Sequence, residues 1–368
     1  MAGKDERSFR ELVSPFLKKK LQELKSNYGV DSPQYQAISK QYLISDEENV
    51  IHKERQRRRH YEAEIFGEEK GFRLKGVERL YRRSVVLEPT TVCLAHCRWC
   101  LRANYEKGSL SPSELAAAMK YFASDNELRE ILITGGDPIV ALPLTEYILD
   151  NIEQRVPQIE IVRIGTRMLT QNPKRVDQKV LKILKKKRRY KIELGILICH
   201  AIELWPETIE AINKLLDIGV RLYNQHPLLK GVNDTAEVLY DLYDRMRYNN
   251  IEPHYMFHCV PMRGMEHHRT SVKKGLDLIS MIDSGGYFSG RSKPLYTAMT
   301  DVGKVVLYHG SVKGKDEDRG LMLLKSGYKY EDRMRWNPSW KKPSSCEIDS
   351  DGYMSVWYPD GPDDHNER

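Results

Sequence analysis

From position 85 onward the chain alternates between short apolar runs and longer amphipathic stretches. The runs fall at 85–87, 130–134, 160–164, 192–199, 219–224 and 252–258. Continuous apolar runs of this length fit strands buried on both faces. The stretches at 112–124, 142–154, 175–187, 206–218, 235–249 and 272–284 carry one apolar face each, as covering helices do. Ser111 before Pro112 reads as a helix N-cap with proline at the first position. Six strand–helix units in succession predict an α/β fold, a parallel sheet rolled into a partial (β/α)6 barrel over 81–290. In such folds the chemistry sits at the C-terminal ends of the strands.

The flanks follow other patterns. Residues 1–80 read as an N-terminal helical extension, where Leu12, Leu21 and Leu24 make a patchy apolar stripe among lysines. It is expected to pack on the barrel or on a second copy. Arg55, Arg57, Arg58 and Arg59 form a basic run that is either a solvated helical face or an RNA contact. After 290 the expectation is a C-terminal α+β extension: strands at 294–299 and 303–308, then a charged loop at 313–319. Asp349-Ser350-Asp351-Gly352-Tyr353 has the make-up of a hairpin turn, and the last residues are expected to fray.

A chain of 368 residues with 40% hydrophobic content has enough apolar material for one large domain with attachments, or for two. The net charge of +7 is compatible with an anionic substrate or a nucleic acid and proves neither. No apolar run is long enough to span a membrane, and the first residues hold no apolar signal core. A reducing cytoplasm is therefore the expected location, where Cys199, Cys259 and Cys346 read as buried or unpaired thiols.

Chemistry concentrates where strands end. Cys93, Cys97 and Cys100, half of the six cysteines, stand in a C-x3-C-x2-C spacing directly after the first strand. Thiolates favour soft metals, and three of them can hold three irons of a [4Fe–4S] cube while the fourth iron stays open to another ligand. A structural zinc would want a fourth protein ligand. His96 lies inside the first gap and cannot easily reach the same ion. Thr134-Gly135-Gly136-Asp137-Pro138 closes the second strand, where paired glycines let backbone approach a ligand. Arg163-Ile164-Gly165-Thr166-Arg167 closes the third strand. Its two arginines suit either anion binding or bridges to neighbouring carboxylates. Asn224-Gln225, Leu228-Leu229-Lys230-Gly231-Val232-Asn233-Asp234 and Gly264-Met265-Glu266-His267-His268-Arg269-Thr270 follow the fifth and sixth strands. The two histidines are acid–base groups or caps.

Taken together, these motifs resemble the lysine 2,3-aminomutase branch of the radical S-adenosylmethionine (SAM) enzymes, over roughly 70–310. The resemblance implies a radical SAM partial barrel and an amino acid 2,3-aminomutase, an isomerase. Its implied cofactors are a [4Fe–4S] cluster, SAM and pyridoxal 5′-phosphate (PLP). It also implies an amino acid substrate, an electron donor such as flavodoxin or ferredoxin, and a homo-oligomer. By position, Cys93, Cys97 and Cys100 would be the metal ligands, and Arg102 would clasp the substrate carboxylate. Gly135, Gly136, Asp137, Arg163, His200 and Gln225 would serve the cofactors, and Lys304 would bind PLP.

The chain departs from this pattern at several places. Before Lys304 only Gly303 remains of the family's glycine run, and Asp301 is the candidate for a displaced aspartate. Val260 stands where lysine-specific members carry another acid, and Arg263 follows it. Tyr81-Arg82-Arg83-Ser84 replaces Pro-Asp-Arg. Thr235 and the lone Cys346 stand where some members carry zinc-binding cysteines. The alternatives are a radical SAM enzyme on this scaffold that has lost PLP and, from another class, a zinc- and RNA-binding module. The departures also predict a pocket less suited to lysine than to a neutral or acidic side chain.

Overall fold

The computed structural model describes residues 9–50, 74–102, 108–262, 264–288, 293–338 and 340–362. The basic run at 55–59 and Arg263 lie outside them.

Each apolar run forms a strand. β2 (Ser84–Thr90), β3 (Glu130–Gly135), β4 (Ile161–Thr166), β5 (Lys191–Ile196), β6 (Arg221–Leu228) and β7 (Glu252–His258) pair in sequence order, all parallel. β1 (Val77–Glu78) adds an antiparallel edge to β2. The sheet curls into a half-barrel. At one register level Leu87, Ile133, Ile164, Leu194 and Leu222 stand side by side across five strands. All five are buried in the main hydrophobic core with the helices' apolar residues. Strand side chains alternate between faces, so their neighbours face the hollow. Leu132, Thr134, Gly165, Gln225 and Phe257 line a cavity there.

The covering helices also fall where expected, at Pro112–Ser124, Leu142–Arg155, Gln178–Lys185, Pro206–Asp217, Ala236–Tyr248 and Val272–Ser284. Ser111 caps the first of them in a full capping box with Glu114, and Pro112 opens it.

β8 (Leu295–Thr300) and β9 (Gly303–Val306) continue this same sheet, β8 parallel to β7 and β9 antiparallel to β8. Lys304 therefore sits on a strand at the barrel's rim. The charged stretch at 313–319, expected as loop, is largely strand β10 (Val312–Asp316). Its alternating exposure lets the charges point outward while the backbone pairs with β11 (Leu321–Lys329). β12 (Cys346–Ile348) and β13 (Tyr353–Pro359) complete this second, antiparallel sheet. The turn at Asp349–Tyr353 joins them as expected, with Gly352 donating to the Asp349 carbonyl.

Helices Pro15–Tyr28 and Pro33–Tyr42 pack on this chain's own barrel. Leu17, Leu21, Leu24, Ile38 and Tyr42 bury against Ala95, Cys97 and Trp205. Lys20 reaches Glu207 at 3.2 Å. Among the described residues, no helix is long and apolar enough to cross a membrane.

Candidate active site

The loop after β2 carries the three cysteines, and the N-terminal segment clamps it from outside. His96 N donates to the Leu12 carbonyl at 2.8 Å, and Arg98 N to the Gln41 carbonyl at 2.8 Å. The Arg98 guanidinium is buried, pairs with both oxygens of buried Glu48 and donates to the Phe9 carbonyl. Phe9 stacks on His96 with ring centroids 4.6 Å apart.

On the barrel side the Gly-Gly-Asp turn docks against the same loop. Gly136 N donates to the Thr90 carbonyl and Asp137 N to the Val92 carbonyl. A Cβ on Gly136 would stand 2.3 Å from the Val92 oxygen, so no larger residue fits. The paired glycines thus serve a close approach between two backbones. The Asp137 carboxylate is buried and turned to β4, accepting from Thr166 Oγ1, Arg167 N and Ile139 N.

Cys93, Cys97, Cys100, Arg102, Gly135, Gly136, Asp137, Gln225 and Lys304 all line one cavity of about 270 Å³. The structure thus gathers most of the expected site residues. None of the six cysteines is in a disulfide. The three of the loop are half-buried, while Cys199, Cys259 and Cys346 are buried. Burial raises the pKa of the Cys93 and Cys97 thiols, and at Cys97 the Arg167 guanidinium opposes this. Three thiols facing one cavity fit a cluster as a donor set. Iron, in binding, would take the place of their protons.

Two expected residues stand elsewhere. His200 caps the start of a short 3-10 turn, Ala201–Glu203, where its ring accepts from Ile202 N at 3.1 Å, and it is absent from the cavity wall. Arg163 points to the start of β3, forming an ion pair with Glu130. Arg167 likewise bridges to Glu203 at 2.9 Å. The arginine pair therefore bridges carboxylates.

Lys304 is half-buried, its Nζ over the Tyr255 ring at 4.7 Å and the Phe257 ring at 5.6 Å. Its backbone is held by two phenols. Lys304 N donates to Tyr81 Oη at 3.2 Å, and Tyr328 Oη donates to the Lys304 carbonyl at 2.8 Å. Tyr81 of the divergent Tyr-Arg-Arg-Ser stretch thus serves the lysine, while Arg82 lies on Glu127 at the surface. Burial lowers the Lys304 pKa to about 8, with Arg163 acting in the same direction. An amine that sheds its proton near neutrality is the nucleophile that PLP attachment needs. The residues present therefore fit PLP at this position.

Several residues in and around the site escaped the sequence reading. Glu88, directly after the apolar run of β2, is buried and accepts from Arg102 Nε at 2.6 Å. His258 ends β7, bonded to Tyr358 Oη at 2.9 Å and the Thr270 carbonyl at 2.7 Å. Burial and Arg269 hold its pKa at about 3. The ring is therefore neutral, donating from Nε2 to the carbonyl and accepting from the phenol at Nδ1. Tyr255 and Phe257, two positions apart on β7, carried a findable signal as aromatics on the hollow-facing side. Glu88 was findable as a carboxylate directly after an apolar run.

The remaining motif residues brace the rim. Asn233 is buried and ties Leu229 N to the Cys199 and Pro227 carbonyls. Asn224 bonds both backbone groups of Ile198. Arg269 holds the Cys259, Pro359 and Asp360 carbonyls. Val260 lines the cavity with Phe9, Leu101 and Met299, whereas Asp301 turns away from it to accept from Ser345 Oγ at 2.5 Å.

A half-barrel of parallel strands with three cysteines in the loop after its first long strand defines a class. Residues 87–243 match the radical SAM superfamily, to which the chain belongs. Within it the chain is a divergent relative of the lysine 2,3-aminomutases. It is 30% identical over 253 residues to L-lysine 2,3-aminomutase of Methanococcus maripaludis, covering 67% of this chain and 57% of that protein. The Clostridium subterminale enzyme of the same name is 32% identical over 225 residues, covering 60% and 53%. Glutamate 2,3-aminomutase of Clostridioides difficile is 30% identical over 224 residues, covering 60% and 52%. The chain thus spans little more than half the length of these relatives.

Proposed function

We infer that this protein is a radical SAM isomerase that moves an amino group from carbon 2 to carbon 3 of an amino acid. One observation carries the reading: the three cysteines and Lys304 line the same cavity. When bound, the cluster with SAM supplies one-electron chemistry and PLP supplies electron delocalisation. The chain's own residues bind, orient and exclude water. Arg102 clasps the substrate carboxylate, and Glu88 fixes the direction of its fork. Gln225 and the backbone of Gly135, Gly136 and Asp137 face the SAM side. Lys304 offers an amine of lowered pKa next to aromatic faces that complement a planar ring. Phe9, Leu101, Val260 and Met299 keep the chamber apolar. A flavodoxin- or ferredoxin-type protein would deliver the electron. The test is a PLP absorbance band in the anaerobic enzyme that disappears in Lys304→Met while iron content stays unchanged.

A second reading keeps the radical SAM chemistry without PLP. It is favoured by the replacement of a glycine-rich loop with a tight Asp301-Val302 turn, which fixes Lys304 in the β9 ladder opposite Met299. Identical spectra for wild type and Lys304→Met after PLP addition would select it.

A further inference from the structure

The Arg167 guanidinium sits behind the cluster loop. It is buried, and its Nη1 donates to Cys97 Sγ at 2.9 Å. Its Nη2 donates to Glu203 Oε1 at 2.9 Å and to Gln41 Oε1. The guanidinium lies over the Tyr42 ring at 4.7 Å and the Trp99 ring at 4.9 Å. Glu203 is itself fully buried, and its other oxygen accepts from Cys199 N at 2.7 Å and His200 N at 3.1 Å. Gln41 is also buried, and its amide donates to the Ala37 carbonyl at 2.7 Å. The guanidinium is thus held by two aromatic rings and by hydrogen bonds from both Nη atoms. One N–H is aimed at the sulfur expected to bind iron.

We propose that Arg167 sets the reduction potential of the cluster through this N–H···S hydrogen bond. Glu203 and Gln41 act as its positioning residues. Hydrogen bonds to ligand sulfurs and local charge are among the levers by which a protein tunes an iron–sulfur cluster. The reduced cluster carries one more negative charge, which gathers partly on sulfur. A fixed donor therefore stabilises the reduced state more than the oxidised one. Glu203 works in the opposite sense. Its carboxylate neutralises the guanidinium and holds the potential below the value a lone cation would give. Gln41 lies on helix Pro33–Tyr42 outside the barrel, so the N-terminal segment takes part in setting this value.

The proposal rests on Cys97 holding an iron, which metal analysis reads separately. The experiment is a redox titration of the anaerobically reconstituted protein without substrate, followed by the EPR signal of the reduced cluster. In Arg167→Met/Glu203→Gln the local charge stays balanced and only the donor is lost. The expected result is a tenfold or larger shift of the reduction equilibrium toward the oxidised cluster, about 59 mV per tenfold for a one-electron couple. Glu203→Gln alone, which leaves the guanidinium unopposed, shifts the equilibrium toward the reduced cluster. A merely structural role would give no such pair of opposite signs in cluster-replete protein. An equilibrium within twofold of wild type in the double variant overturns the proposal. Should the double variant hold no cluster, Glu203→Gln decides alone, and an unchanged or lowered potential overturns it. Loss of iron from Cys97→Ala would confirm the ligand, whereas full iron retention there would remove the premise instead.

Discussion

Lys304 gives the sharpest test of how the barrel prepares its chemistry. Burial lowers its pKa from 10.5 to about 8, and the like charge of Arg163 acts in the same direction. The aromatic faces of Tyr255 and Phe257 oppose this weakly, since they favour the ammonium. At pH 7 a lysine of pKa about 8 is neutral roughly one time in ten, against about one in three thousand at 10.5. Capture of PLP at Lys304 should therefore be about 300-fold faster at pH 7 than at an ordinary lysine of equal access. The sign follows from the lowered value: capture rises with pH through about 8 and is flat above about 9. The measurement is borohydride trapping of PLP on the Lys304 peptide, read by mass spectrometry across pH 6–11. Arg163→Met removes the like charge and leaves Glu130 unopposed, and both changes move the midpoint upward. Because desolvation is the larger cause, the midpoint stays below 10.5. Capture still rising at pH 10 in the wild type, or a midpoint unmoved by Arg163→Met, would refute the reasoning.

Four further outcomes are expected. Replacing Cys93, Cys97 or Cys100 with alanine abolishes 5′-deoxyadenosine formation, whereas Cys259→Ala or Cys346→Ala retains iron, as iron assay and product chromatography will show. Arg102→Lys, which cannot reproduce the fork held by Glu88, lowers kcat/KM by about tenfold or more with iron unchanged, because a charged hydrogen bond is worth roughly 1.5–3 kcal/mol. Glu48→Gln breaks the buried pair with Arg98 and destabilises the protein by about 3–5 kcal/mol. Denaturant titration reads that loss, and faster removal of iron by a chelator shows that the clamp protects the loop. With Val260 on the cavity wall and Asp301 turned to Ser345, lysine lacks a carboxylate for its distal ammonium among the described lining residues near them. In competition assays lysine should therefore have a lower kcat/KM than a neutral amino acid, and the opposite ranking would overturn this argument.

Much of the fold was legible because its rules are local. Six apolar runs with amphipathic stretches between them became six parallel strands and their helices, within a few residues. The cysteine loop and the Gly-Gly-Asp turn were legible as spacing. What the sequence hid was partnership at a distance. The stretch 294–308 reads the same whether it starts a new sheet or extends an old one, and only long-range pairing put β8 beside β7. Arg163 and Arg167 look alike in a motif, yet one reaches Glu130 and the other Glu203. Whether an arginine binds a ligand or a carboxylate depends on which acids the fold brings near. The family resemblance put His200 at the cofactor site, but Glu203 draws that segment into a tight turn. The N-terminal helices gave a weak apolar stripe, and nothing in that stripe announced that Gln41 and Glu48 would meet the cysteine loop.

The central claim is that radical and PLP chemistry share this one cavity, and product analysis tests it most directly. Anaerobic protein with reconstituted cluster, SAM, PLP and a reductant is incubated with a panel of amino acids and assayed for 3-amino acid products. The account predicts a 3-amino acid from at least one substrate, lost in Lys304→Met and in Cys97→Ala. Formation of 5′-deoxyadenosine with no 3-amino acid from any member, equally in wild type and Lys304→Met, would contradict it.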